Sequence, residues 1–153
     1  MKMNVMLAAA ALMYAPLAMA GEKGAYPEEN VATFVVDKLD MTSLPSAYRP
    51  KKEKGKKTLA DYGYAAQKVK EKEALVEMAG GARRLSIRIL EESGSGIYAC
   101  VTEPPKDGGN PLTQSVVLLK RKDANGLLKG RETWREFTSC PVIGGSSDDS
   151  SAY

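Results

Sequence analysis

Histidine is absent from this chain of 153 residues, and cysteine, tryptophan and phenylalanine are scarce, at two, one and two. Without histidine the commonest general base is missing, and serine–histidine and cysteine–histidine catalysis are excluded within the chain itself. The two cysteines, Cys100 and Cys140, cannot complete a four-ligand zinc site, and their wide spacing is not that of a reactive C-x-x-C pair. The acidic pairs Glu28-Glu29, Glu91-Glu92 and Asp148-Asp149 lack calcium-loop spacing, and no glycine-rich phosphate loop occurs. Glu132 and Glu136 would share one side of a strand about 13 Å apart, too far for either glycosidase geometry. These absences lead to a non-enzymatic reading with no cofactor and no metal.

Two further absences narrow the partner. The net charge is only +3, and no aromatics interleave with the basic residues as base stacking requires, so nucleic acid is not expected. After residue 20 no apolar run approaches the roughly 20 residues of a membrane helix, so no transmembrane anchoring is expected.

What is present begins at the N-terminus. MKMNVMLAAAALMYAPLAMA has a cationic start at Lys2, an apolar stretch from Val5 to Leu17 and an Ala-x-Ala motif at Ala18–Ala20. That is the pattern of a bacterial secretory signal peptide over residues 1–20, cleaved after Ala20. The mature chain, about 133 residues, is one domain's worth of sequence, periplasmic or secreted. Five of the seven methionines leave with the leader. In an exported chain a lone cysteine pair reads as a disulfide between Cys100 and Cys140.

Residues 21–30 read as a flexible arm, 31–143 as a single compact domain, and the polar run GGSSDDSSAY at 144–153 as a disordered tail. Within the domain, β-branched residues from Val31 to Leu39 predict a strand. Lys51 to Lys57 (KKEKGKK) predicts a solvated loop, with contact to an anionic partner as the sharper alternative. Thr58 to Ala79 predicts a helix: Thr58 and Asp61 have capping-box spacing, and Leu59, Tyr62, Ala66, Val69 and Val76 approach a 3.6-residue period. A long strand turning at Gly80-Gly81 is the alternative there. Leu85, Ile87 and Ile89 alternate with polar residues, as in a half-buried strand. Further strands are expected at Ile97–Thr102, Gln114–Arg121 and Leu127–Cys140, with turns at Ser93–Gly96 and Asp123–Gly126. The fold expected is α+β: an antiparallel sheet of four to five strands covered by one helix, with one disulfide. A small all-β sandwich or open barrel is the alternative.

Two surface readings follow. Arg84 and Arg88 on one strand, with Lys129, Arg131 and Arg135 on the last, would form a cationic binding face if their strands share a sheet face. Tyr62, Tyr64, Tyr98 and Trp134 could line an aromatic pocket, against the plainer reading of Trp134 as a core residue beside the disulfide. The function expected is that of an exported binding protein, inhibitor- or immunity-type, acting on an envelope protein. A small-molecule or envelope-polymer binding module and an accessory subunit of an envelope complex are the alternatives.

Overall fold

The computed structural model describes residues 26–105, 111 and 113–143. The leader at 1–20, the first half of the arm and the tail at 144–153 lie outside the described residues. Seven strands form one curled sheet: β1 (Leu39–Asp40), β2 (Tyr64–Val69), β3 (Glu73–Met78), β4 (Arg84–Ser93), β5 (Gly96–Glu103), β6 (Thr113–Lys120) and β7 (Leu128–Glu132). Their order is β1-β7-β6-β5-β4-β3-β2. From β2 to β7 each strand pairs antiparallel with the next, and β1 closes the far edge by pairing parallel with β7. Among the described residues the result is a β-rich half-barrel with one α-helix and one disulfide. It has more strands than the four to five expected and suits the open-barrel alternative.

Two elements reverse the sequence expectation. Val31–Lys38 is a helix, α1, rather than a strand. Its buried residues Val31, Ala32 and Val35, continued by Leu39, recur at helical spacing and meet the concave face of the sheet. Burying that stripe outweighs the modest helix penalty of the β-branched residues. The N–H of Ala32 also donates to the carbonyl of Glu71 (3.0 Å), tying the start of α1 to the β2–β3 turn.

The helix expected at Thr58–Ala79 is instead a turn followed by the β2–β3 hairpin. The capping box does form: Asp61 N–H donates to Thr58 Oγ1 (3.2 Å), and Asp61 Oδ2 accepts from Thr58 N–H (2.8 Å). It closes only one turn, because Gly63 at φ +78° takes the chain out of helical geometry. Ala66 and Val69, expected on the helix's apolar side, are exposed on edge strand β2. The alternative of a strand turning at Gly80-Gly81 describes β3 and β4, which pair across that turn.

The core lies on the concave face. Leu85, Ile87 and Ile89 of β4, Ile97, Ala99 and Val101 of β5, and Val117 and Leu119 of β6 point to α1 and to residues 41–62. Gly130 of β7 allows that covering segment to come close. A Cβ there would sit 2.7 Å from Leu44 Cδ2 and 3.0 Å from Val117 Cγ1. Its N–H donates to Ser43 Oγ (2.7 Å). Tyr48 anchors the same segment from inside, its hydroxyl donating to the Val101 carbonyl (3.0 Å) and accepting from Ser115 Oγ (3.1 Å). Burial pushes the Tyr48 phenol pKa up.

Candidate functional site

The alternation that turns Leu85, Ile87 and Ile89 inward turns Arg84, Ser86 and Arg88 to the convex face. By register that face continues through Tyr98, Cys100 and Thr102 of β5, Val116, Leu118 and Lys120 of β6, and Lys129 and Arg131 of β7. The last strand expected from Leu127 to Cys140 ends at Glu132. Beyond a final bond from Thr133 N–H to the Val116 carbonyl (3.1 Å), residues 133–143 fold back over the convex face as a strap.

Several contacts hold the strap. The disulfide joins Cys140 to Cys100 on β5, with the Cα atoms 5.8 Å apart. Ile143 and Gln114 exchange backbone hydrogen bonds of 2.8 and 2.9 Å. The Gln114 side chain donates to the Pro141 carbonyl (2.8 Å), and Arg88 donates to the Ser139 carbonyl. Arg135 grips Glu91 with both guanidinium nitrogens, at 2.9 and 2.6 Å. Its guanidinium carbon lies 4.6 Å from the Tyr98 ring centre and 5.0 Å from that of Phe137. Hydrogen bonding to Tyr98, and then to Glu91, pushes the Arg135 pKa up. Beneath the strap Cys100, Val116 and Cys140 are buried, with Leu90, Tyr98 and Phe137 packed around them as a second, smaller core.

What this framework holds out is Trp134, 94% exposed, with Val142 at 60%. Between them runs a groove of about 400 Å³ lined by Val116, Trp134, Glu136, Phe137, Pro141 and Val142. Trp134 is therefore not the core residue beside the disulfide that strand alternation suggested. The ladder stops one residue before it, so strand parity does not govern its side chain.

The five cations of the expected face do share the convex side, but not one patch. Arg84 bonds Glu77 (2.7 Å), Arg88 is committed to the strap backbone, and Arg135 to Glu91. β4 and β7 are three strand spacings apart, about 14 Å, with β5 and β6 between them. Lys129 and Arg131 remain exposed, and neither forms an ion pair among the described residues. Nor do the four aromatics meet. Tyr62 and Tyr64 belong to the concave-face core, whereas Tyr98 and Trp134 lie on the convex side. Sequence reasoning missed Phe137, Pro141 and Val142 of the groove, and Lys120. The Asp123–Gly126 turn signal pointed to a hairpin that would bring Lys120 near Lys129, but not to the register.

Among the described residues no helix is long and apolar enough to cross a membrane. No protein-family model, curated protein or solved structure matches the chain.

Proposed function

We propose that this chain is an exported, non-enzymatic binding protein of the inhibitor or immunity type, which engages an envelope protein through the strap. One observation carries the reading: the only tryptophan stands 94% exposed on a segment cross-linked to the sheet. A large apolar ring facing water has lost the burial that usually keeps tryptophan in a protein, and binding would recover it. Tryptophan is also the residue type most enriched among interface hot spots. A backbone already fixed by the disulfide and by Gln114 loses little entropy on binding, so more of the burial energy appears as affinity. The leader and the disulfide suit an oxidising compartment outside the cytosol.

Trp134→Ala tests this. Because the ring touches little of its own fold, unfolding free energy should change by less than about 0.5 kcal/mol. Affinity for the partner captured from native envelope extract by the mature chain should fall by at least about 2 kcal/mol, roughly 30-fold. Equal capture by the wild type and a folded Trp134→Ala variant would refute the strap as the contact surface.

A further inference from the structure

At the hairpin end of the convex face, β6 and β7 carry an arrangement that the fold itself does not use. Lys120 and Lys129 are direct register partners. Like charges facing each other across an antiparallel pair destabilise it. Arg131 follows on the same side of β7, opposite Leu118. All three cations are exposed, and none forms an ion pair among the described residues.

Among the described residues the neighbouring carboxylates form no ion pair with them. Asp40, register partner of Lys129 in β1, accepts from Thr42 N–H (3.0 Å) and Thr42 Oγ1 (2.6 Å). Asp123 accepts from the N–H of Asn125 (3.0 Å) within the turn. Glu132 has the opposite strand parity to Arg131.

The cations and the groove are continuous. Along the convex face Lys120 and Lys129 are followed by Leu118 and Arg131, then by Val116 and Thr133, where the groove begins. Lys129 and Thr133 are about 13 Å apart along an extended chain, within the reach of one protein footprint. We infer that the surface meeting the strap is an acidic protein surface, with carboxylates seated against Lys120, Lys129 and Arg131 beside an apolar socket for Trp134. This rests on the proposed protein-binding role and names the chemistry of the partner. A protein suits the site better than an anionic bilayer or polyphosphate, because the cations end at an apolar groove lined by Trp134, Phe137, Pro141 and Val142, which a protein side chain can fill and a flat bilayer or polyphosphate chain cannot.

The test uses the mature chain and three probes of known chemistry: poly-L-glutamate, inorganic polyphosphate and phosphatidylglycerol vesicles, followed by calorimetry. Poly-L-glutamate should bind at low salt, with affinity falling at least tenfold in Lys129→Glu/Arg131→Glu and in Lys120→Glu. Lys51→Glu/Lys52→Glu, on the exposed basic loop, should change it less than twofold. Lys120→Glu replaces a repulsive cross-strand pair with an attractive one, so its melting temperature should hold or rise, and lost binding cannot then be lost folding. Absent poly-L-glutamate binding, or binding indifferent to these reversals, overturns the inference. So does binding of polyphosphate or vesicles through the same residues without poly-L-glutamate. Trp134→Ala separates the two proposals. Capture lost in that variant with no poly-L-glutamate binding leaves the strap reading standing and removes the acidic partner. Poly-L-glutamate binding at the three cations with capture unaffected by Trp134→Ala removes the strap contact and its apolar socket and leaves the carboxylate site standing.

Discussion

Replacing both Cys100 and Cys140 by alanine should reduce stability sharply while leaving the sheet in place. The cross-link spans 40 residues, and the chain-entropy model gives about 4 kcal/mol for a loop of that length. Alanine is the informative substitution, since both positions are buried and serine would bury an unpaired hydroxyl. Neither cysteine belongs to the larger, concave-face core, so far-ultraviolet circular dichroism should change little. The strap itself should loosen. Of its remaining side-chain clamps, Gln114 and Arg88 each hold one strap carbonyl, and the Arg135–Glu91 pair, 43% and 38% exposed, contributes no more than about 1 kcal/mol. A melting temperature lower by something on the order of 15 °C is expected, together with lower fluorescence anisotropy of Trp134, the only tryptophan. A loss under about 1 kcal/mol would refute the entropic account of the cross-link. Unchanged anisotropy would refute the claim that the disulfide is what fixes the strap.

Two other perturbations probe the concave side. Tyr48→Phe leaves Ser115 Oγ without its acceptor and removes a hydrogen bond to Val101, at a cost of about 1–2 kcal/mol in denaturant unfolding. The raised Tyr48 pKa also gives a pH dependence. The unfolded phenol ionises near 10.0 and the folded one later, so this contribution is complete below pH 10.0 and lost as pH rises through the folded value. Unfolding titrations at rising alkaline pH should show a shallower decline in Tyr48→Phe than in the wild type. Gly130→Val should destabilise by roughly 1–3 kcal/mol in the same assay, because even a Cβ would crowd Leu44 and Val117.

The parts of the fold legible in the sequence are those where local pattern and tertiary position agree. Leu85, Ile87 and Ile89 alternate because one side of β4 faces the core, and the Ser93–Gly96 turn returns the chain into β5. The Cys100–Cys140 bond was legible from cysteine number and the expected export. Where local signals serve a different tertiary role, the reading failed. The Val31–Leu39 segment has strand composition, but covering a concave sheet asks for the stripe of Val31, Ala32, Val35 and Leu39. The Thr58–Asp61 box is a true cap with no helix behind it, since Gly63 diverts the chain at once.

The candidate site was hidden for a related reason. Leu127–Cys140 reads as one strand because nothing local announces that pairing stops at Glu132. The stop follows from contacts distant in sequence. Cys140 must reach Cys100 on β5, and Ile143 must reach Gln114 on β6, so the chain has to leave the plane of the sheet and cross its convex face. Leaving the plane releases Trp134 from strand alternation and exposes it. The same disulfide that the expected export made legible therefore made the position of the tryptophan illegible. The cationic face was half legible for the converse reason. Strand parity put Arg84 with Arg88, and Lys129 with Arg131, on one side of their own strands, but what each can offer a partner depends on contacts elsewhere in the chain, Glu77 with Arg84 and the Ser139 carbonyl with Arg88. Of the five cations expected on that face, Lys129 and Arg131 form no ion pair among the described residues and hold no strap contact, and Lys120 is their register neighbour. Those cations lie where the strap departs, so the site is best sought at that junction rather than across the whole convex face.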